Sequence, residues 1–395
     1  MVAAGGSLCA HPGTGGAGRA GVAAMRIGID ASSLLCAEPR GEGKSLLRLY
    51  QEIARLRPDC SFVLFGLPGL FQSPPLPGSR IVTFDCPGFR WNSWENLGLP
   101  WQAWRAGLDV LHCASSGAPF WSPLPVVMTV HDLIPLLFDD GQTAAARAGF
   151  QRRLGCGVRG ARHIIAVSAS TRRDLEARFP ASVGKTTVIH WGSDPAPVTA
   201  ASAPPFPVPY VLALGGAAPR KNTPAVVRAF ARLAPAFPRL HLVIVGLGHP
   251  GARAAIETLA ADCGIAERLV LPGFVSEALL TACYQHASAL CYLSLYEGFG
   301  LPLLEAMAQG VPVVASNRAS IPEVIGPAGI SVDPDDLDAV AAALSGVLAD
   351  PAGRSQAAAR ARDWAGRFSW RETAMQTLAV LEQAARCSEP VERRR

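Results

Sequence analysis

The sequence has no Cys-x-x-Cys pair, no uninterrupted apolar run of bilayer length, and little charge. Its ten cysteines (Cys9, Cys36, Cys60, Cys86, Cys113, Cys156, Cys263, Cys283, Cys291 and Cys387) are scattered, which argues against zinc ribbons and disulfide frameworks and fits a reduced compartment. Charges and prolines interrupt every apolar stretch before it could cross a membrane. Residues 1–24 are Gly/Ala-rich and lack both the basic start and the continuous apolar centre of a signal peptide. They read as a disordered extension, with Met25 as the expected native start. These absences point to the cytoplasm, with attachment at the inner face of the membrane as the variant reading.

What is present is a chain of 395 residues, 49% hydrophobic and 17% charged, long enough for two domains with a core in each. The net charge of +5 is unevenly placed. Arg147, Arg152, Arg153, Arg159, Arg162, Arg172, Arg173 and Arg178 face only Asp174 and Glu176 along one segment. A solvated helix face is the plain reading, and a patch for an anionic membrane or acceptor the sharper one. The segment lacks the aromatic interleaving of a single-stranded nucleic-acid groove, so no nucleic-acid partner is expected.

Short apolar runs alternate with amphipathic helical segments. RIGIDA, SFVLFG, RIVTFD, VLHC, VVMTVHD, HIIAVS and TTVIHWG make one series, and YVLALGG, LHLVIVG, RLVLPGF, ALCYLS, VPVVAS and GISVDP a second. Runs flanked by helices and ending in Gly, Asp, Ser or His predict parallel, doubly wound sheets. The fold class is therefore α/β, two Rossmann-like domains facing across a cleft. The first spans 25–197, a Pro-rich linker 198–208, and the second 209–368. Ligands of such sheets bind beyond the carboxyl ends of the strands, where His131, Asp132, Ser168, Ser170, Arg220, Lys221 and Glu297 collect.

Two glycine turns carry the chemistry. In the segment EGFGLPLLEAMAQG, Glu297 to Gly300 form a turn, Pro302 suits the first turn of a helix, Glu305 is expected in that same turn, and Gly310 closes it. Two carboxylates eight residues apart then flank one ligand. The other turn, RGEGKSLLRLY, contains Gly43-Lys44-Ser45, yet the position where a nucleotide-triphosphate loop needs its first glycine is Glu38. A kinase or NTPase reading is thereby disfavoured. A flexible lip at Gly41 and Gly43 leading into a helix remains, able to approach an anion.

Glu297, Glu305 and the turn between them resemble the E-x7-E element of the retaining family 4 glycosyltransferases, also described as glycosyl transferases group 1, of the GT-B fold. LALGGAAPRKNTPAVVRAFARL, LVIVGLGHP, LVLPGFVSEALLTACYQHASAL and SNRASIPEVIGPAGISVDPDD are similar to the family's second domain. In the first domain, RGEGKSLLRLY, the stretch around His131, IAVSASTRRDL and VIHWGSDP are family-like, so the resemblance runs from Met25 to about residue 385. It implies transfer of a mannose-like or glucose-like hexose from a UDP- or GDP-sugar to a sugar, lipid-linked or small-molecule acceptor.

The resemblance further implies that Arg220 and Lys221 clamp the donor diphosphate, Glu305 receives the ribose hydroxyls and Glu297 holds the sugar. Gly298, Phe299, Gly300 and Leu301 lie along sugar and phosphate, Gly273 and Phe274 along the base, and Gly41 and Gly43 on the opposing lip. Lys44 stands where many relatives carry Arg. His131 is the first-domain group nearest the reacting carbon, with Asp132 its orienting partner or a plain cap, while His112 and His163 are structural. No metal or other cofactor is expected: Asp333-Pro-Asp335-Asp336 has the Asp-x-Asp spelling but reads as a helix cap. A sugar-nucleotide-binding module without catalysis is the remaining alternative.

Trp91, Trp94, Trp101 and Trp104 fall on one stripe if their segment is helical, with Pro100 expected to break it. Core packing is the preferred reading and a membrane-interface patch the alternative. Residues 369–388 form an amphipathic helix that the family resemblance crosses back to the first domain, with Trp370 as its anchor, and 389–395 form a loose tail.

Overall fold

The computed structural model describes residues 24–34, 41–66, 76, 78–83, 93–193 and 203–386. The Gly/Ala-rich extension, Glu38, Trp91, the first half of the linker and the tail lie outside them. Each apolar run named above is a strand. The first sheet comprises β1 (Arg26–Asp30), β2 (Ser61–Gly66), β3 (Ser79–Thr83), β4 (Val110–Cys113), β5 (Val126–Val130), β6 (His163–Ala166) and β7 (Thr186–Val188), in the order β3-β2-β1-β4-β5-β6-β7. The second comprises β8 (Tyr210–Leu214), β9 (His241–Val245), β10 (Leu269–Gly273), β11 (Ala289–Tyr292), β12 (Val313–Ser316) and β13 (Ile330–Val332), in the order β10-β9-β8-β11-β12-β13. Every pairing is parallel.

β4, β5, β11 and β12 are buried along their whole length. Helices cover both faces of such strands, so they read as continuous apolar runs without polar alternation. The strand order reverses between β1 and β4 in one sheet and between β8 and β11 in the other, and a crevice opens at such a switch point. Inside the first core, His112 accommodates its ring nitrogens against Tyr50 Oη and Thr129 Oγ1, each at 2.8 Å. Burial, with a smaller contribution from His131, drives its pKa down to about 3, so it is a neutral structural residue.

The helix Trp370–Arg386 packs on the helix Gly41–Leu56 and against β4, β5 and β6 of the first sheet. The chain crosses where Gly192 meets the backbone of Trp370 so closely that a Cβ on Gly192 would lie 2.2 Å from Trp370 N. Trp370 stands edge-on to Trp191 at 5.3 Å, and Arg57 binds Glu382 at 2.5 Å. Trp370→Ala is expected to cost about 3–5 kcal/mol in urea unfolding of the first domain, the range for emptying a buried aromatic site. A loss below about 1 kcal/mol would show the crossing helix to be dispensable to that domain.

The tryptophan stripe corrects the sequence reading. Trp94 enters the core beneath a wide helical turn, Trp94–Gly98, which runs directly into the helix Leu99–Arg105. Pro100 occupies the first turn of that helix, where its missing N–H is tolerated, and so does not break it. Trp101 and Trp104 meet in a tilted contact with ring centroids 5.2 Å apart and stay exposed. Trp94, Leu99 and Ala103 fill the side facing the sheet, leaving no core position for the other two indoles.

Candidate active site

Beyond β8 the chain makes a short turn, Pro219–Lys221, and Asn222 in the left-handed region (φ 50°) redirects it into the helix Thr223–Leu233. Beyond β11 it reaches Glu297, and Gly300 at φ 114° starts the helix Leu301–Ala308. A side chain would be strained at that φ, so glycine is required there. Because β8 and β11 are neighbours at the switch point, the two loops meet. Lys221 Nζ donates to Glu297 Oε1 at 2.7 Å, Arg220 NH1 to Oε2 at 3.3 Å, and Tyr292 Oη to Oε1 at 2.8 Å.

Burial by itself would push the Glu297 carboxyl up, but Lys221 and Arg220 more than offset it and hold it below the usual carboxylate range. Burial likewise opposes the charge on Lys221, yet Tyr292 and Glu297 raise it to about 12. Both partners therefore point to an ionised pair, with Glu297 buried and Lys221 partly buried. Arg220 also reaches across to the first domain, its Nε donating to Asp140 Oδ2 at 2.9 Å.

Glu305 belongs to a separate chamber. A cavity of about 230 Å³ lies between the domains, with Gly41, Lys44 and Ser45 on one wall and Glu277, Leu301 and Glu305 on the other. Glu297 is not among its lining residues. Glu305 is the fifth residue of its helix rather than part of the first turn, which sets it behind the glycine turn. Tyr284 Oη donates to Glu305 Oε2 at 3.1 Å, and burial, only partly opposed by that bond, raises the carboxyl. Lys44 forms an ion pair with Glu277 across the cleft. The Gly-Lys-Ser of the opening helix thus faces the second domain.

On the first domain, His131 follows β5. Its Nε2 approaches Ala114 O at 2.5 Å and Glu42 Oε1 at 3.5 Å, and its ring stacks on Trp191 at 5.5 Å. Asp132 accepts from Ile134 N at 2.9 Å, next to the short helix Ile134–Leu137, whose N-cap position is Leu133. Sequence reasoning passed over Glu42, although it is the middle residue of the Gly-x-Gly lip.

Gly298 is the seam between the halves. Its carbonyl accepts from Ser168 Oγ at 2.6 Å and Thr171 Oγ1 at 3.1 Å, and a Cβ on it would lie 2.0 Å from His131 O. Alongside, Glu323 accepts from Ala169 N at 2.9 Å and meets His190 Nε2 at 2.5 Å, and Tyr296 Oη donates to Asp174 Oδ2 at 2.7 Å. Thr171, Asp174, His190, Tyr296 and Glu323 carried no sequence signal, since each is recognisable only by a partner in the other domain.

Gly273 (φ 74°) and Phe274 close β10 but do not line the Glu305 cavity. Phe274 is exposed and lies over Gly248. Asp336 caps the helix Leu337–Ala349 by accepting from Ala339 N at 2.9 Å, while Asp333 and Asp335 bind Arg318. The Asp-x-Asp spelling is used for capping and a surface pair.

Two doubly wound domains with their strand ends opposed define a GT-B fold, and a solved structure with it is that of the Anabaena HepE protein in complex with UDP and glucose. It covers 91% of this chain and is itself covered completely, at 19% identity with a TM-score of 0.69. The family models place the chain further: Glycosyltransferase Family 4 matches residues 39–196 and Glycosyl transferases group 1 matches 201–364. The chain belongs to this glycosyltransferase family. Among its relatives, the O-antigen chain mannosyltransferase B of Escherichia coli is 36% identical over 228 residues, 55% of this chain and 60% of that protein's length. The D-inositol 3-phosphate glycosyltransferase of Xylanimonas cellulosilytica is 30% identical over 288 residues, 67% of each chain.

Proposed function

We propose that the protein is a retaining hexosyltransferase that moves a mannose-like or glucose-like sugar from UDP or GDP to a hydroxyl of a glycan, glycolipid or small molecule, without a metal. The observation that carries this reading is the Arg220–Lys221–Glu297 cluster at the switch point of the second sheet, with its carboxylate buried and its cations half-buried, placed beside the Gly298 seam that brings His131 to it. The mannosyl relative supports a hexose, and the UDP complex of a structural neighbour supports a nucleotide-sugar donor. The six cysteines among the described residues are free thiols, which fits a reducing setting.

In this reading the donor diphosphate settles on Arg220 and Lys221, and the amides of Phe299, Gly300 and Leu301 at the helix start face its oxygens. Fixed cations at the leaving group stabilise the charge that develops as the sugar–phosphate bond breaks, the task a metal performs elsewhere. The acceptor oxygen bonds to the anomeric carbon on the same face that the phosphate leaves. The acceptor's proton passes to the departing phosphate oxygen, which keeps the balance without a protein nucleophile. Glu297, tied by two cations and a phenol, holds sugar hydroxyls. Glu305 takes the ribose hydroxyls in its cavity, and His131 closes the sugar from the opposite side.

Calorimetric titration with UDP, GDP, ADP and ATP, with and without magnesium, tests the reading on wild type and Glu305→Ala. Binding of UDP or GDP that needs no magnesium and weakens about tenfold or more in the variant is expected, since one well-made hydrogen bond to a charged group is worth about 1.5–3 kcal/mol. Magnesium-dependent ATP binding untouched by the substitution would return the function to Gly43-Lys44-Ser45. Nucleotide binding without turnover of any donor would leave a binding module.

A further inference from the structure

Among the described residues, a group of exposed apolar side chains lies outside the cleft, on the first domain. Leu97, Trp101 and Trp104 occupy i, i+4 and i+7 positions, one stripe of the helical segment, and are 72%, 55% and 51% exposed. Phe120 and Trp121, 56% and 68% exposed, stand beside them, because Asn96 Oδ1 accepts from Phe120 N at 2.8 Å. Single exposed hydrophobics need no explanation, but a contiguous group of this size marks a contact surface.

The surface is built rather than incidental. The loop carrying Phe120 lies flush on the helix Ala144–Gly160, which offers glycine where the loop touches it. A Cβ at Gly160 would fall 2.0 Å from Pro119 O, and one at Gly157 would fall 2.8 Å from Ala118 N. The loop backbone that carries Phe120 and Trp121 is therefore held in place before any partner arrives.

Cations frame this face. Arg105 follows Trp104 on its helix, and Arg152 and Arg159 lie one helical repeat apart on the helix that supports Phe120. All three are exposed, and none pairs with a carboxylate among the described residues. The neighbouring acids are already engaged: Glu95 is buried against Arg153 at 2.7 Å, and Asp109 accepts from Arg26 N. The face thus presents indoles ringed by positive charge. Indoles favour the headgroup level of a bilayer, and exposed arginines are drawn to anionic headgroups.

We propose that the first domain docks on an anionic lipid surface through the face formed by Leu97, Trp101, Trp104, Phe120 and Trp121 with Arg105, Arg152 and Arg159. The helix and loop lie in the domain that carries His131, so docking sets that domain on the membrane and leaves the second free to take up nucleotide. No helix among the described residues is long and apolar enough to cross a bilayer, so this is attachment at the interface.

Flotation of the whole chain with vesicles of phosphatidylcholine alone, or mixed with phosphatidylglycerol, tests this. Wild type is expected to bind the mixed vesicles and to lose binding as salt rises. The variant Arg105→Gln/Arg152→Gln/Arg159→Gln is expected to bind about 100-fold more weakly, since each cation at an anionic surface is worth about fivefold. Trp101→Ala/Trp104→Ala/Trp121→Ala is expected to lose about tenfold or more. Unchanged nucleotide binding in both variants reports an intact fold and separates this result from the fate of the transferase reading. No binding of wild type to mixed vesicles, or equal binding by all three proteins, would overturn the proposal. So would a concentration-dependent dimer abolished by the tryptophan substitutions, which would assign the face to a second copy of the chain.

Discussion

Lys221→Met will lower turnover about 10²- to 10³-fold, the usual effect of removing one preorganised group that stabilises developing negative charge. It will also destabilise the second domain by about 3 kcal/mol, the lower end of what breaking a buried ion pair costs, because Arg220 stays within 3.3 Å of Glu297. The pH dependence reveals the cause. In the wild type the Glu297 carboxyl is held below its ordinary value. Its contribution to stability is complete above the unfolded carboxylate range and fades as pH falls through the folded value. Lys221→Met removes the larger of the two cationic effects that lower the carboxyl while burial and Arg220 remain, so the variant is expected to lose less stability than the wild type as pH falls. Urea unfolding over a pH series measures this. Adding Glu297→Gln removes both charges and is expected to restore stability without restoring turnover. Recovery of turnover in the double variant would show that the cluster only supports the fold.

The second large effect is steric. Gly298 is not one of the glycines at positive φ, so alanine fits its backbone and the requirement is space alone. A Cβ there would sit 2.0 Å from His131 O and 2.9 Å from Asp132 Cβ. The nearer obstacle is backbone and cannot turn aside. Gly298→Ala will hold the domains apart by about 1 Å and lower kcat/KM about 100-fold, as misplacement on that scale does. The Ser168 and Thr171 hydrogen bonds to the Gly298 carbonyl will lengthen with it. Nucleotide affinity, which the proposed reading assigns to the second domain, is expected to fall far less, and X-ray scattering to record a larger radius of gyration. A variant with normal kcat/KM would mean that the reaction does not use this seam closed.

The strands were legible because both sheets are covered on both faces. Runs such as VVMTV and ALCY are apolar almost throughout, the buried Thr129 being paired with His112, and the polar residues of the site collect where the strands end. The same logic located the loops of Arg220, Lys221 and Glu297. It did not reveal that the three share one buried charge cluster, since Lys221 and Glu297 stand 76 positions apart in the chain. Nor did it place Glu323 against Ala169, 154 positions away. Helical spacing aligned Trp101 with Trp104, but the side that faces the sheet depends on Trp94 and Leu99 filling the core first.

Alternation of apolar runs with helices determined two parallel, doubly wound domains, and the glycine turns with their flanking charges determined where to look for a site. Which charges neutralise one another, which glycine must lack a side chain, and which indoles reach solvent were decided only by the tertiary structure. Electrostatic attraction and steric exclusion act through distances in space, and those distances exist only once the two sheets have folded and faced each other.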